Sequence, residues 1–134
     1  MDQKAMFKLS YGLFVLTARE GAKDNGCIIN TAVQVASNPN YIMISVNKSN
    51  YTHDMIKNTG AFNLSVLTEG ASFETFKHFG FQSGRDVEKL AQIEFSRAAN
   101  NIVYLTKETN AFLWLMGFCN VHYQFYSNNY SWCK

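Results

Sequence analysis

The chain has 134 residues, of which 47% are hydrophobic, 15% aromatic and 16% charged, and this composition favours a single soluble domain over a disordered or fibrous chain. Its net charge of +2 is too small for nucleic-acid binding, and no apolar run reaches the ~18 residues that span a bilayer. Three cysteines without CxxC spacing predict neither a disulfide framework nor a zinc or rubredoxin-type iron site. The N-terminus has no signal-peptide pattern, so the cytoplasm is the expected compartment.

The first half of the chain alternates strand patterns with turn signals. A short amphipathic helix is expected over Lys4–Leu9 and a strand over Leu13–Arg19. Asp24-Asn25-Gly26 predicts a turn, because Asn and Gly tolerate the left-handed conformation. A second strand over Cys27–Ala36 then has Asn30, Ala32, Gln34 and Ala36 on one face. The next predicted elements are a break at Asn38-Pro39-Asn40, a strand over Tyr41–Val46 and a helix over Tyr51–Thr59 that stops at Gly60.

The second half continues with short elements. Its predicted order is a strand over Ala61–Leu67, a helix over Ser72–Gly80, a loop over Phe81–Asp86, a helical turn over Val87–Ala91 and a strand over Ile102–Leu105. Strands with short helices between them favour a mainly β fold, either a β-barrel or an α+β arrangement, over alternating βαβ units.

Two polar loops are candidate anion sites. Asn47–His53 offers the cation Lys48, several amide and hydroxyl groups and the free N–H groups of a helix start, which suits a phosphate. The alternative is that Asn50 or Thr52 only caps the helix. The second loop, Ser83-Gly84-Arg85-Asp86, presents an arginine that can bind an anion through two hydrogen bonds, although Asp86 could equally be a helix cap.

Other polar residues have weaker functional interpretations. Asn30 and Gln34 on the second strand could hydrogen-bond a planar heterocycle, or they could lie on a solvated face. The three histidines lack metal-site spacing and are expected to be surface residues, while Cys27 is expected to be a small buried residue. We identify no catalytic side-chain set, no metal site and no dinucleotide-binding fingerprint.

Several of these segments together resemble the flavin reductase-like family. The similarity covers roughly residues 5 to 112 and is carried, in order, by Phe7–Ala18, Asn25–Thr31, Asn47–Asp54, Phe62–Glu69 and Phe79–Asp86. The chain is most similar to the flavoredoxin-like domain that is fused to a rubredoxin module in some anaerobes.

The resemblance implies a split β-barrel that binds FMN as a homodimer, with the flavin near the subunit interface. It implies that Asn30, Thr31 and Gln34 border the isoalloxazine ring. It further implies that the ribityl chain and phosphate are held by Asn47, Lys48, Asn50 and Thr52, that Ser83, Gly84 and Arg85 close over the cofactor, and that Lys89 is an additional cation.

The resemblance also implies an activity. The expected function is NAD(P)H-dependent flavin reduction, or reduction of a redox partner such as rubredoxin through bound FMN. No catalytic side chain is expected, because the flavin carries the redox chemistry. Two alternatives remain open, a non-enzymatic flavin electron carrier and an inactive, truncated relative.

The C-terminal segment departs from the family pattern. We divide the chain into a flavin reductase-like domain, residues 1–112, and a divergent or truncated segment, residues 113–134. No charged residue lies between Glu108 and Lys134, and eight of the twenty aromatic residues fall between Phe112 and Trp132. The segment could be a replacement strand or a frameshifted reading. Because no family-like alternation follows Phe112, we expect little ordered strand structure after it.

Overall fold

A computed structural model of the chain describes residues 12–116 and 130–133 as nine strands and two short helices. The strands are β1 Phe14–Glu20, β2 Lys23–Ile29, β3 Ala32–Ser37, β4 Asn40–Asn47, β5 Ala61–Leu67, β6 Phe95–Arg97, β7 Val103–Leu105, β8 Thr109–Met116 and β9 Tyr130–Cys133. The helices are α1 Tyr51–Thr59 and α2 Phe73–Gly80. The helix expected over Lys4–Leu9 lies outside the described residues.

The strands form three antiparallel sheets. The largest has the order β2-β1-β5-β8, the second has the order β3-β4-β9, and β6 pairs with β7. This arrangement confirms the mainly β class. Within the described ranges, no helix is long and apolar enough to cross a membrane.

The core has two parts that meet at β1. Leu16 belongs to a cluster with Ile44 and Met55, whereas its neighbour Val15 belongs to a cluster with Phe79 and Val103. Successive residues of a strand point to opposite faces, so β1 is covered on both sides. Residues 15–18 are therefore all buried, and the strand agrees with the one predicted over Leu13–Arg19.

Helix α1 has the predicted bounds. Asn50 is its N-cap, with Oδ1 accepting a hydrogen bond from the Thr52 backbone N–H over 3.2 Å. Gly60 ends the helix with a φ of 69°, a conformation that glycine adopts without the steric cost of a side chain. The caps therefore fix where the loop before α1 ends.

The predicted turn at Asp24-Asn25-Gly26 is wrong. Those residues lie inside β2, where Asn25 pairs with Ala18 and Gly26 with Thr17. The chain turns earlier, at Gly21, whose φ is 59°. Pairing with β1 along the full strand satisfies the backbone groups that a local turn would leave to solvent. Glycine suits position 26 because a Cβ there would lie 3.1 Å from the Phe79 ring.

The predicted strand over Cys27–Ala36 is interrupted at Asn30 and Thr31. β2 pairs with β1, whereas β3 pairs with β4 in another sheet, so the chain changes sheets between them. A shift of register between Gln34 and Ala36 also breaks the single face predicted for this strand.

Residues 87–91 form turns instead of the predicted helical turn. The Ala91 N–H bonds to the carbonyl of Glu88, and the Ile93 N–H bonds to that of Leu90. Lys89 and Leu90 are both buried although they are adjacent in sequence. Their side chains therefore do not follow the three- to four-residue spacing of a buried helical face. The short strand β6, which follows, was not expected.

Strand structure continues past Phe112, so the expectation of little order after it is wrong for residues 113–116 and 130–133. In β8, Leu113 pairs with Leu64 and Leu115 with Phe62, while β9 pairs with the end of β4. Pairing covers the edge of β5 and satisfies its backbone hydrogen bonds. Residues 117–129 lie outside the described residues.

Candidate functional site

A pocket of about 310 Å³ opens between the loop before α1 and the residues that end and follow α2. Three of the predicted site residues, Asn47, Asn50 and Ser83, contribute to it. Among the described residues, its lining is Ile28, Asn47, Ser49, Asn50, Tyr51, Phe79, Gly80, Phe81, Gln82 and Ser83. The structure therefore brings the two predicted anion loops to one pocket.

The first wall of the pocket is the loop from Asn47 to Asn50. Asn47 Oδ1 accepts hydrogen bonds from the backbone N and the Oγ of Ser49, at 3.0 and 2.9 Å, which fixes the turn. Lys48 lies on this turn and is half-buried. The wall thus presents amide and hydroxyl groups beside a cation.

The second wall consists of the end of α2 and residues 81–83. Phe79 is buried, while Phe81 is exposed at the mouth and contacts Phe73 edge-to-face with ring centroids 6.2 Å apart. Ser83 Oγ accepts a hydrogen bond from the Arg85 backbone N–H over 3.2 Å. This wall therefore combines aromatic surface with a hydroxyl group.

Arg85 connects the two walls. Its guanidinium donates to the Ser49 carbonyl over 3.2 Å and to the Asp54 carboxylate over 2.6 Å. It also lies 5.0 Å above the centre of the Tyr51 ring, and Lys23 lies 5.1 Å from the same ring centre. Arg85 pairs with Asp54 and Lys23 with Glu88, so these residues place charged donors beside the pocket together with the carboxylates that neutralise them.

Thr52 and Gly84 lie beneath the pocket surface. Thr52 is buried, and its Oγ1 accepts a hydrogen bond from Nδ2 of the buried Asn25 over 3.0 Å. A Cβ on Gly84 would lie 2.0 Å from Asn25 Oδ1, so only glycine allows this approach. Asn25 Oδ1 itself has no hydrogen-bond partner among the described residues.

Sequence reasoning missed Asn25 as a site residue. Its Asn-Gly context predicts a turn, and no local pattern indicates that it is buried against Thr52, which lies 27 positions further along the chain. Only the pairing of β2 with β1 places its amide between α1 and the 83–86 loop.

Lys89, expected to be a cationic cofactor contact, is buried beneath the second wall. Its Nζ donates to the carbonyls of Gly26 and Phe79, at 3.0 and 2.9 Å. Burial lowers the pKa of Lys89, an effect that neighbouring Cys27 partly opposes. The described lining of the pocket does not include Lys89.

Cys27 is a buried residue, as expected. Burial raises the pKa of its thiol to about 11, against the opposing effects of Thr52, Lys89 and Asn50. A thiol with this pKa is protonated near neutral pH and is a poor nucleophile.

The structure places the predicted ring-bordering residues apart from the first pocket's described lining. Asn30 is exposed at the junction of β2 and β3, where its Oδ1 accepts from Thr31 Oγ1 over 3.1 Å. Gln34 donates to Asn40 over 3.0 Å and lies in a second, mostly apolar groove of about 480 Å³ between β3, β4 and β8.

His53 and His78 are half-buried and have protein partners, while His122 lies outside the described residues. His53 Nδ1 lies 3.0 Å from Asp54, and His78 Nε2 is hydrogen-bonded to the Lys89 carbonyl. Among residues 12–116 and 130–133, no group of side chains has the composition and spacing to hold a metal ion.

The chemistry of the pocket fits a phosphorylated aromatic ligand. Amides and hydroxyls from both loops, with the Arg85 guanidinium at the rim, match the acceptor oxygens and charge of a phosphate. The rings of Phe79 and Phe81 and the side chain of Ile28 provide apolar surface beside them.

Curated relatives share substantial sequence with the chain. It is 39% identical over 113 residues to the high molecular weight rubredoxin of Moorella thermoacetica, covering 84% of this chain and 49% of that protein. It is 34% identical over 111 residues to the ferric-chelate reductase (NAD(P)H) of Archaeoglobus fulgidus, covering 83% of this chain and 66% of that protein. The chain thus spans between about half and two thirds of the length of these relatives.

Solved structures share the fold. A flavoredoxin from Methanosarcina acetivorans superposes with a TM-score of 0.74 at 22% identity, covering 92% of this chain and 63% of that one. An NADH:FAD oxidoreductase from Streptomyces globisporus gives a TM-score of 0.78 at 19% identity, covering 98% and 75%. These similarities confirm the expected split β-barrel fold.

The model of the flavin reductase-like domain family matches residues 6–122. This match includes both walls of the pocket and the whole of β8. On this evidence the chain belongs to the flavin reductase-like family.

Proposed function

We propose that the chain binds FMN in the pocket between the Asn47–Asn50 loop and the Phe79–Ser83 wall, and uses it as an NAD(P)H-dependent oxidoreductase. The carrying observation is that Arg85 joins two anion-ready loops across 36 residues of sequence, through Ser49. The supporting relatives are a ferric-chelate reductase named for NAD(P)H and a flavin reductase-like family model.

In this proposal the chain's own residues bind and orient the cofactor. Asn47, Lys48, Asn50, Ser83 and Arg85 hold the ribityl chain and phosphate. Phe79 and Phe81 exclude water from the ring, because they supply the apolar surface of the pocket. Asn30, Thr31 and Gln34 lie outside this pocket and border the ring where it extends beyond the pocket, as the family resemblance implies. Bound flavin supplies the hydride-accepting chemistry, so no catalytic side chain is needed.

Thr52 and Gly84 have supporting roles in this arrangement. Thr52 is already hydrogen-bonded to Asn25, and Gly84 packs directly on the Asn25 amide. They keep the two loops at the separation that the ligand requires. Their contribution to binding is therefore through the shape of the pocket.

The visible spectrum of the purified protein tests the proposal. We expect flavin absorption bands and the release of FMN, not FAD, on denaturation. A colourless protein that does not quench the fluorescence of added FMN would refute it and favour the inactive relative.

A second candidate is an electron carrier whose flavin is reduced and oxidised by other proteins. One relative is named a high molecular weight rubredoxin, and this similarity favours the candidate because it suggests a rubredoxin as the redox partner of such a carrier. NADH and NADPH oxidation with free flavin as the acceptor separates the two. NAD(P)H oxidation by the chain alone, with free flavin or a redox protein as the acceptor, indicates a reductase, and the need for a separate NAD(P)H-oxidising protein indicates a carrier.

We further propose a homodimer in the cytoplasm. Val33 and Val35 of β3 and Trp114 of β8 are exposed apolar residues, and such surface is typical of subunit contacts. Sedimentation equilibrium tests this assembly, and a monomer at micromolar concentration contradicts it.

A further inference from the structure

Lys89 is a buried lysine that connects a strand to the end of a helix. Its side chain is only 2% exposed, and its Nζ donates to the carbonyls of Gly26 in β2 and Phe79 in α2. A buried ammonium is costly unless it is hydrogen-bonded, and here two backbone oxygens accept hydrogen bonds from it. The position of this side chain is therefore set by both elements.

The contact with α2 falls where the helix needs a donor. The last carbonyls of a helix lack intrahelical partners and carry the negative end of the helix dipole. The Lys77 carbonyl receives the Phe81 N–H over 3.1 Å, and the Phe79 carbonyl receives the Lys89 ammonium. The Lys89 carbonyl is also hydrogen-bonded to His78 of the same helix. Lys89 thus holds the end of α2 through both its side chain and its backbone.

The residues that Lys89 holds form one wall of the proposed flavin pocket. Phe79 and Gly80 end α2, and Phe81 follows directly, and all three line the pocket. Ile28, two residues beyond Gly26 on β2, lines it as well. A shift of the helix end relative to β2 would change the width of the pocket on this side.

We propose that Lys89 is a positioning residue, which fixes the α2 wall against β2 and does not itself contact the flavin phosphate. This proposal rests on the proposed function, FMN binding in this pocket. It replaces the role of additional cationic cofactor contact that the family resemblance implies. The two roles differ in one measurable respect. A phosphate contact discriminates FMN from riboflavin, whereas a fixed wall affects both flavins equally.

The test compares Lys89→Met with the wild-type chain. Methionine keeps the length and the apolar stem but lacks the donors. Kd values for FMN and riboflavin are measured by fluorescence quenching, well below the Tm of each variant, with folding verified by far-UV circular dichroism. Lys107→Met is the matched control, because Lys107 is exposed and pairs with Glu94. Lys89→Arg, which keeps donors and charge, serves if Lys89→Met does not fold and is otherwise the conservative rescue.

We expect Lys89→Met to weaken both flavins by a similar factor, about tenfold, with a changed visible circular dichroism of bound FMN. Lys89→Arg recovers part of the loss for both flavins, and Lys107→Met changes neither. A loss for FMN alone, in either Lys89 variant, would overturn the proposal in favour of a phosphate contact. A lower Tm with unchanged affinities would also overturn it, because the role would be structural only. Absence of flavin binding by the wild-type chain would refute the proposed function itself.

Discussion

Nδ2 of Asn25 donates a hydrogen bond to Oγ1 of Thr52 over 3.0 Å, and both side chains are buried beneath the candidate pocket. Asn25 lies in β2 and Thr52 in the first turn of α1, so this bond joins a strand to the helix that follows the Asn47–Asn50 loop. The other end of the Asn25 amide faces Gly84 of the second loop. One side chain therefore contacts the supports of both loops.

Gly84→Ala should destabilise the protein, because the new Cβ would lie 2.0 Å from Asn25 Oδ1. Overpacking of a buried site costs about 1–3 kcal/mol. Urea denaturation measures the loss, and Gly70→Ala is the control, because a Cβ at Gly70 meets nothing within 4 Å. The double variant Asn25→Ala/Gly84→Ala should lose less than the sum of the single variants. If the stability losses of the two single variants add up to the loss of the double variant, the contact between residues 25 and 84 is not the cause of the destabilisation.

Lys48→Ala should weaken FMN binding and leave riboflavin binding nearly unchanged. A charge-assisted hydrogen bond contributes ~1.5–3 kcal/mol, which corresponds to about a tenfold or greater loss of FMN affinity. Fluorescence titration with the two flavins measures the difference, and Lys57→Ala at the exposed end of α1 is the control. Equal losses for both flavins would mean that the loop caps α1 without binding phosphate.

Thr52→Ala should behave differently from Lys48→Ala. Removal of the Thr52 hydroxyl leaves the buried Asn25 amide without its acceptor, at a cost of about 1–3 kcal/mol of folding stability. We therefore expect a lower Tm and a loss of affinity for FMN and riboflavin alike. A loss restricted to FMN, with an unchanged Tm, would place the Thr52 hydroxyl on the phosphate instead.

Glu108 should make stability sensitive to acid. Hydrogen bonds from the Thr75 hydroxyl and from the backbone and hydroxyl of Ser72 lower the pKa of Glu108 below its ordinary value of 4.5. A lowered folded-state pKa stabilises the protein above 4.5, and this contribution is lost as the pH falls from 4.5 through the folded-state value.

Urea midpoints of Glu108→Gln and wild type, measured from pH 7 to pH 3, test this dependence. The variant should be less stable than wild type at neutral pH and should lose less stability on acidification. Glu69→Gln, at an exposed position, is the control. Parallel curves for Glu108→Gln and wild type would show that the Ser72 and Thr75 contacts do not depend on the charge.

Leu115→Ala should destabilise the protein if β8 packs as described. Leu115 pairs with Phe62. Its side chain is partly exposed and packs against the core cluster that contains Leu16 and Ile44. We expect a loss of roughly 1–3 kcal/mol, below that of a fully buried leucine. Asn110→Ala, at an exposed position of the same strand, should change stability little. Equal, small effects of both substitutions would mean that β8 does not cover the core.

Local sequence signals predicted the elements whose bounds depend on a few neighbouring residues. Asn50 and Gly60 define α1, because a cap and a left-handed glycine act within one helical turn. Alternating or continuous apolar residues likewise predicted β1, β4 and β5. The two loops of the candidate site follow from these elements, so Asn47, Asn50 and Ser83, which line one pocket, could be proposed as site residues from the sequence.

Tertiary structure decided what depends on distant partners. Asn25 and Gly26 have a turn signal, but pairing with β1 makes them strand, because seven residue pairs outweigh a local preference. The family resemblance implies only that Lys89 is an additional cation for the cofactor, whereas in the fold β2 and α2 bring the carbonyls of Gly26 and Phe79 to its ammonium. β8 likewise depends on the edge of β5. These partners lie far away along the chain, and no local pattern encodes which backbone groups will meet.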